Sequence, residues 1–371
     1  MKAIIQDRFG PPDQLRLAGI DPPGIGPGEV LIRVHAAALN PYDWHMLRGD
    51  PYIARLIGGT GLTRPKSRVA GIDAAGRVEA AGAGVTGLRP GQDVLGFCRG
   101  AFAEYARTRA DLVVPKPDGL SFEQAAALPM AATTALRGIR DVAQVQAGQQ
   151  VLVNGAAGGV GSYAVQIAAA LGAKVTGVCS TRNLDLVRSL GAAHVVDYTA
   201  GDFTGTTTRY DVILDNVGNR PLSLLRRVLT PTGTLVLNAG GTPGHLIGAL
   251  GPMLRLAAVN PLVRQRLRVL PTRLDQAELA AVTALIEGGP TPPCHRPDLP
   301  PDRRHRCPAP GRRGPHPRQD RHHHRLTRNA SPLGGHRGQD GIEKPQRRRD
   351  RFVPPQGQDM VEPGGGAYLA G

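Results

Sequence analysis

The residues best suited to chemistry form the run Gly155-Ala156-Ala157-Gly158-Gly159-Val160-Gly161. It lies between an apolar segment, Val151-Leu152-Val153-Asn154, and an alanine-rich stretch over residues 160–171. A glycine pattern points to a dinucleotide site only in this strand–loop–helix setting. There the glycines permit a tight turn, and the helix start offers free N–H groups and a positive dipole end to a pyrophosphate. A glycine-rich turn without a ligand is the competing reading, and the context disfavours it. Cofactor preference is read about 20 residues on, where NAD sites place Asp or Glu on the ribose 2′-OH. Here the segment is Cys179-Ser180-Thr181-Arg182, with no acid. A hydroxyl and a guanidinium suit the 2′-phosphate of NADPH, although Arg182 capping a solvated helix is the alternative. NADPH is the expected cofactor.

The elements that must hold this loop follow from the period of the sequence. From residue 150, strand-like segments at 151–154, 174–179, 194–196, 210–215, 234–237 and 266–271 alternate with helix-like ones at 160–171, 183–190, 222–229 and 275–287. Such alternation predicts an α/β fold with a doubly wound parallel sheet. Residues 2–6, 29–36 and 76–81 read instead as strands, punctuated by Pro22-Pro23-Gly24 and Arg89-Pro90-Gly91-Gln92-Asp93. They predict a β-rich domain. Ser121 then caps a helix over 122–128, with Glu123 and Gln124 in its first turn. The expected division is a catalytic domain over 1–121, a nucleotide-binding domain over 122–289 and a tail over 290–371. Residues 246–263, with Leu246, Leu250, Leu254 and Leu256 among small residues, read as an ordinary packed helix. A flap over the substrate or an oligomer contact is the alternative.

The 371 residues suffice for two domains, and 41% hydrophobic composition is ordinary for an enzyme. The net charge of +15 is uneven: residues 291–371 hold 16 Lys and Arg against 8 Asp and Glu, with 7 of the 11 His. That tail is too poor in aliphatics to offset its chain entropy, so it is expected to be disordered and basic. Its runs at 303–306 and 321–325 lie far from its two aromatics, Phe352 and Tyr368. No stacking platform for nucleic acid is visible, and any binding would be weak and abolished by moderate salt. The tail also reads as a frame-shifted translation. In the neighbouring frame, residues 294–301 can encode Val-Ile-Asp-Arg-Thr-Tyr-Pro-Leu, and residues 318–325 Gly-Lys-Ile-Val-Ile-Ile-Thr-Val followed by a stop. The amino terminus has no apolar leader, no uncharged run spans a bilayer, and four Cys lack paired spacing. A cytoplasmic location without membrane contact is expected.

Several strings appear in an order that carries a resemblance: Ala38-Leu39-Asn40-Pro41-Tyr42-Asp43, Gly71-Ile72-Asp73-Ala74-Ala75-Gly76-Arg77-Val78, Arg89-Pro90-Gly91-Gln92-Asp93-Val94, Ala101-Phe102-Ala103-Glu104-Tyr105 and the glycine loop. On these, residues 1 to about 289 resemble the medium-chain dehydrogenase/reductase superfamily, in its zinc-independent quinone oxidoreductase-like or enoyl reductase-like branch. The resemblance implies a GroES-like catalytic domain followed by a Rossmann domain, with the active site between them. It also implies that Thr134, Tyr198, Asn216 and the turn Asn238-Ala239-Gly240 line the cofactor, together with Gly155, Ala156, Gly158, Gly159, Val160, Gly161, Ser180 and Arg182. In the family the chain then returns to the catalytic domain with a closing strand. As translated this chain lacks the recovered strand strings, so an exposed sheet edge and a poorly soluble or inactive product are expected. Relatives are commonly dimers.

Zinc-dependent relatives place a Cys near Asn40 and a His at Ile72; neither is present, and four scattered Cys cannot build a structural zinc lobe. His35 and His45 read as packing or surface residues. No metal is expected. Without a Lewis acid the substrate must accept hydride readily, as a quinone or conjugated enone does. Asn40, Tyr42 and Tyr52 are the expected hydrogen-bond or proton donors at the developing oxyanion; for either Tyr, packing with a satisfied hydroxyl is the alternative. The expected activity is NADPH-dependent reduction of a small quinone or α,β-unsaturated carbonyl. Two alternatives stay open: a non-catalytic NADPH-binding regulator, and a zinc-free NADP-dependent alcohol or aldehyde oxidoreductase.

Overall fold

The structure, a computed structural model, describes residues 1–50, 52, 55, 61–238, 250–288 and 367–370. Strands β1 (Lys2–Ile5) and β2 (Arg16–Gly19) form an antiparallel ribbon. β3 (Glu29–Leu39) leads into helix α1 (Pro41–Arg48) and pairs antiparallel with β4 (Asp73–Ala81), which is followed by β5 (Asp93–Phe97), β6 (Tyr105–Arg109) and β7 (Val113–Pro115) in the same sheet. Along β3, Val30 and Ile32 are buried in the period-2 rhythm of a one-sided strand. The register shifts between Val34 and Ala36, and beyond the shift Ala36, Ala37 and Ala38 are all buried. Only small side chains fit a strand covered on both faces there, and it delivers Asn40 to the interior.

Helices α2 (Phe122–Ala126) and α3 (Pro129–Leu136) precede the second sheet. Ser121 caps α2 as expected: its Oγ accepts from the Gln124 N–H at 3.2 Å, and the Gln124 Oε1 accepts from the Ser121 N–H at 2.9 Å. Strand β8 (Gln150–Asn154), helix α4 (Gly159–Ala170), β9 (Lys174–Cys179), α5 (Leu184–Ser189), β10 (His194–Asp197), β11 (Tyr210–Asp215), α6 (Leu222–Arg227), β12 (Leu229–Leu237), α7 (Leu250–Val259), β13 (Arg266–Val269) and α8 (Gln276–Glu287) follow. The six strands are parallel in the order β10-β9-β8-β11-β12-β13. Val151, Leu152 and Val153 are fully buried, as a strand covered by helices on both faces must be. The chain builds outward from β8 to β10, then crosses back to β11 beside β8. This reversal opens the crevice at which doubly wound sheets bind ligands. A GroES-like β domain and a Rossmann domain are both present.

One apolar core runs through both domains, joining Ala36, Ile72 and Phe97 of the first sheet to Met130 and Leu136 of α3 and to Val151 and Val165 of the second domain. At the end of α3, buried Arg137 donates to Glu278 Oε1 (2.7 Å) and the Pro271 carbonyl (2.7 Å), fastening α3 to α8. Within 246–263, α7 buries Leu256 and leaves Leu254 exposed, as a surface helix does; residues 246–249 lie outside the described residues. Most of the expected tail, its Arg and His runs and frame-shift candidates included, lies outside them as well, as does Ala239. The expectation of an exposed sheet edge needs correction. β14 (Ala367–Ala370) pairs antiparallel with β3, Ala367 opposite Leu39 and Ala370 opposite Ala36, so backbone from the chain's end occupies that edge. Among the described residues no helix is long and apolar enough to cross a membrane.

Candidate active site

The glycine loop leaves β8 at the crevice. Gly155 has φ +77°, a left-handed conformation unfavourable to any residue with a Cβ. Its N–H and that of Ala156 both donate to the Val178 carbonyl, at 3.1 and 2.9 Å, folding the loop back onto β9. A Cβ on Gly161 would lie 2.0 Å from the Gly155 carbonyl oxygen, so α4 seats against the loop only because that residue has none. Gly158 caps α4, and the first three N–H groups of the helix, on Gly159, Val160 and Gly161, have no intrahelical acceptor. With the dipole of a 12-residue helix behind them, they form a cradle for a diphosphate. The residues present fit a nicotinamide dinucleotide.

Polar residues close the floor of the crevice. Fully buried Asp215 at the end of β11 accepts through Oδ1 from Asn154 Nδ2 (2.8 Å) and from the N–H groups of Val217 (3.1 Å) and Gly218 (3.0 Å). Asn216 Nδ2 donates to the Asn154 carbonyl (3.1 Å), and Asn238 Nδ2 to Asn216 Oδ1 (3.0 Å). The structure thus joins Asn216 and Asn238, while Asn154 and Asp215 escaped the sequence reading. A signal for them existed: each is a polar residue that ends a strand directly after three apolar ones.

At the ends of β9 and β10, Ser180 is buried and its Oγ accepts from Asn183 Nδ2 at 3.0 Å. Arg182 is exposed and has no hydrogen bond or ion pair among the described residues. The Tyr198 N–H donates to the Cys179 carbonyl at 3.1 Å, which brings Tyr198 beside the Ser180 turn. An acid reaches this corner from the neighbouring strand. Asp197 accepts from the hydroxyls of Thr181 and Thr199, both at 2.6 Å, and these bonds hold its carboxyl below the usual range. No acid ends β9 itself, so a reading along the chain missed it.

On the catalytic side Asn40 caps α1, its N–H donating to Asp43 Oδ2 at 2.8 Å. Asn40 Nδ2 donates to Asp73 Oδ2 at 3.0 Å, and the same oxygen accepts from the Met130 N–H at 2.8 Å. Asp73 is fully buried. Burial pushes its carboxyl well above the ordinary range, and Asp43 raises it further. Burial likewise pushes Asp43 up to about 7. Tyr42, half-buried one residue before Asp43, has its phenol pushed up by burial and by that carboxyl, with Arg99 opposing. Tyr52 lies elsewhere. It follows the far end of α1, a helix about 12 Å long, and is 44% exposed. Its ring is 4.4 Å from the Arg55 guanidinium, which donates to the carbonyls of Gly49 and Arg48. Asn40 and Tyr42 thus stand at the start of α1, and Tyr52 follows its far end.

Helix α3 connects the two halves. Its Met130 N–H is held by Asp73, and its Ala131 Cβ lies 3.6 Å from where a Cβ on Gly159 would stand. Thr134, one turn beyond Met130 on the same face, is buried. A zinc ion does not fit. Among the described residues no three His, Cys, Asp or Glu side chains are grouped as ligands. Asp73 Oδ2 is taken by two donors, burial raises the Cys98 thiol, and His35 stacks on Phe122 at 4.3 Å.

Residues 26–118 match the model of the alcohol dehydrogenase GroES-like domain, and residues 159–287 that of the zinc-binding dehydrogenase family. The chain is 35% identical over 288 residues to the 2-methylene-furan-3-one reductase of Solanum lycopersicum, covering 71% of each chain. In structure it is similar to the quinone oxidoreductase from Coxiella burnetii, with TM-score 0.66 and 30% identity over 78% of this chain and 89% of that one. The Escherichia coli quinone oxidoreductase complexed with NADPH matches with the same TM-score at 26% identity, again over 78% and 89%.

Proposed function

We infer function from one premise: this chain belongs to the medium-chain dehydrogenase/reductase superfamily, in its zinc-independent quinone oxidoreductase-like branch. It is an oxidoreductase that acts on a small molecule with a nicotinamide cofactor. We propose further that the cofactor is NADPH and that the substrate is a quinone or an α,β-unsaturated carbonyl. The observation that carries this reading is the Asn40–Asp73–Met130 junction. Where zinc-dependent relatives hold a Lewis acid, this chain has an amide hydrogen-bonded to a buried carboxyl.

When bound, NADPH supplies the hydride. The chain's part is to orient and to stabilise charge. The loop and α4 anchor the diphosphate; Ser180, Arg182 and Tyr198 take the ribose end; Asn216, Asn238 and Thr134 hold the ring end. Hydride arriving at the β-carbon of an enone moves charge onto the carbonyl oxygen, and donors near Asn40 and Tyr42 stabilise it. The Tyr42 phenol is protonated at neutral pH as any ordinary phenol is, and burial pushes it further up. Simple alcohol oxidation would instead require stabilisation of an alkoxide, for which the described residues group no metal ligand set.

The test is loss of NADPH absorbance with a panel of enones, quinones and aldehydes. Turnover of enones or quinones is expected, with negligible NADP-dependent oxidation of secondary alcohols. Comparable alcohol oxidation would replace this reading by the alcohol/aldehyde one. NADPH binding with no turnover of any substrate would favour a non-catalytic regulator.

A further inference from the structure

Asp73, at the start of β4, has 0% exposure, and its two oxygens differ sharply. Oδ2 accepts from Asn40 of the catalytic domain and from the first turn of α3; Oδ1 is buried without a partner. Among the described residues no cation is paired with it; Arg99, which follows Cys98, acts on Tyr42. α1 contributes Asp43, and the turn after β5 contributes the Cys98 thiol. The adjoining end of β3 and the whole of α3 carry no charged residue. No Lys, Arg or His is ion-paired to Asp73 or Asp43 among the described residues. A buried anion with no paired counter-charge and a second acid beside it is strongly disfavoured against the neutral acid. In the neutral acid the proton belongs on the oxygen that accepts nothing, Oδ1, and Oδ2 remains the acceptor.

We propose that Asp73 is a positioning residue that works as a neutral acid: Oδ2 fixes the Asn40 carboxamide and the start of α3 in one register, and the proton on Oδ1 keeps a negative charge away from the substrate oxygen that is gaining one. This rests on the reductase reading above. It explains how a carboxyl can stand next to a developing oxyanion without opposing it. Raising the pH until Asp73 ionises introduces the repulsion, so kcat falls on the alkaline side.

The test compares wild type with Asp73→Ala, Asp73→Asn, Asn40→Ala and the Asn40→Ala/Asp73→Ala double variant. D73A should lower kcat by about 100-fold, the scale of a misplaced reacting group, with NADPH Kd unchanged. Asparagine, which keeps an acceptor and cannot ionise, should rescue most of that loss and abolish the alkaline fall. The double variant should be no slower than the slower single, because both act through one contact. An independent readout is infrared: at about pH 8, above the ordinary carboxylate range, wild type should show a protonated-carboxyl C=O band that D73N lacks. A D73N variant as slow as D73A at native Tm, additive singles, or no such band would overturn the proposal. Absence of turnover in wild type would sink the reductase reading alone, and the band would then decide the state of Asp73.

Discussion

At the end of β9 the Arg182 guanidinium is exposed and unpaired among the described residues, whereas the nearby Asp197 has its oxygens occupied by Thr181 and Thr199. The cation is thus available to a phosphate, and the acid is already engaged. A charge-assisted hydrogen bond contributes about 1.5–3 kcal/mol, which is about 10- to 100-fold in binding. Arg182→Ala should therefore lower kcat/KM for NADPH by about that factor and leave NADH almost unaffected. Steady-state kinetics with both cofactors read this directly; an equal loss for the two would mean that Arg182 does not contact the 2′-phosphate.

At the scale of elements, the union of loop and helix depends on one missing methyl group. A Cβ on Gly161 would fall 2.0 Å from the Gly155 carbonyl oxygen, whereas one on Gly159 would meet Ala131 at an ordinary 3.6 Å. Gly161→Ala should displace α4, cost about 1–3 kcal/mol as overpacking does, and abolish NADPH binding. Gly159→Ala should be tolerated in stability, since alanine is the better helix former. Thermal melts and fluorescence titration with NADPH compare the pair, and equal tolerance of both would refute the close seating of α4. Helix α3 is the second critical element, because it touches both Asp73 and the start of α4. Its far end is tied by buried Arg137 to part-buried Glu278, and removing the acid, which leaves a buried guanidinium without its counter-charge, costs up to about 3–5 kcal/mol.

For the whole molecule, the first sheet is completed by the end of the chain. β14 pairs with β3 over Ala36 to Leu39, the stretch that runs directly into Asn40. Deleting residues 367–371 would leave that backbone unpaired at a sheet edge, a site for intermolecular pairing. The shortened protein should melt at lower temperature and scatter more light on standing. Unchanged Tm and scattering would show that β14 contributes nothing to the sheet.

The sequence by itself determined the alternating elements of the second domain and the nucleotide loop, because both are written locally; helices α1 and α3 were not read from it. Strand and helix periods follow from which residues must face a core, and the loop is a run of adjacent residues whose backbone needs are visible in their types. Ser121 is legible in the same way, since a capping box spans only four residues. Tertiary structure alone decided what depends on distant strands. It brought Asp197 to the Ser180 turn, Asn154 to Asp215, and Asn40 to Asp73 and Met130, because strand pairing and helix docking put residues far apart in the chain within hydrogen-bond reach. It placed Tyr52 past the far end of α1, against Arg55. It also filled the open sheet edge with Ala367–Ala370, a pairing that turns on where the chain returns in space.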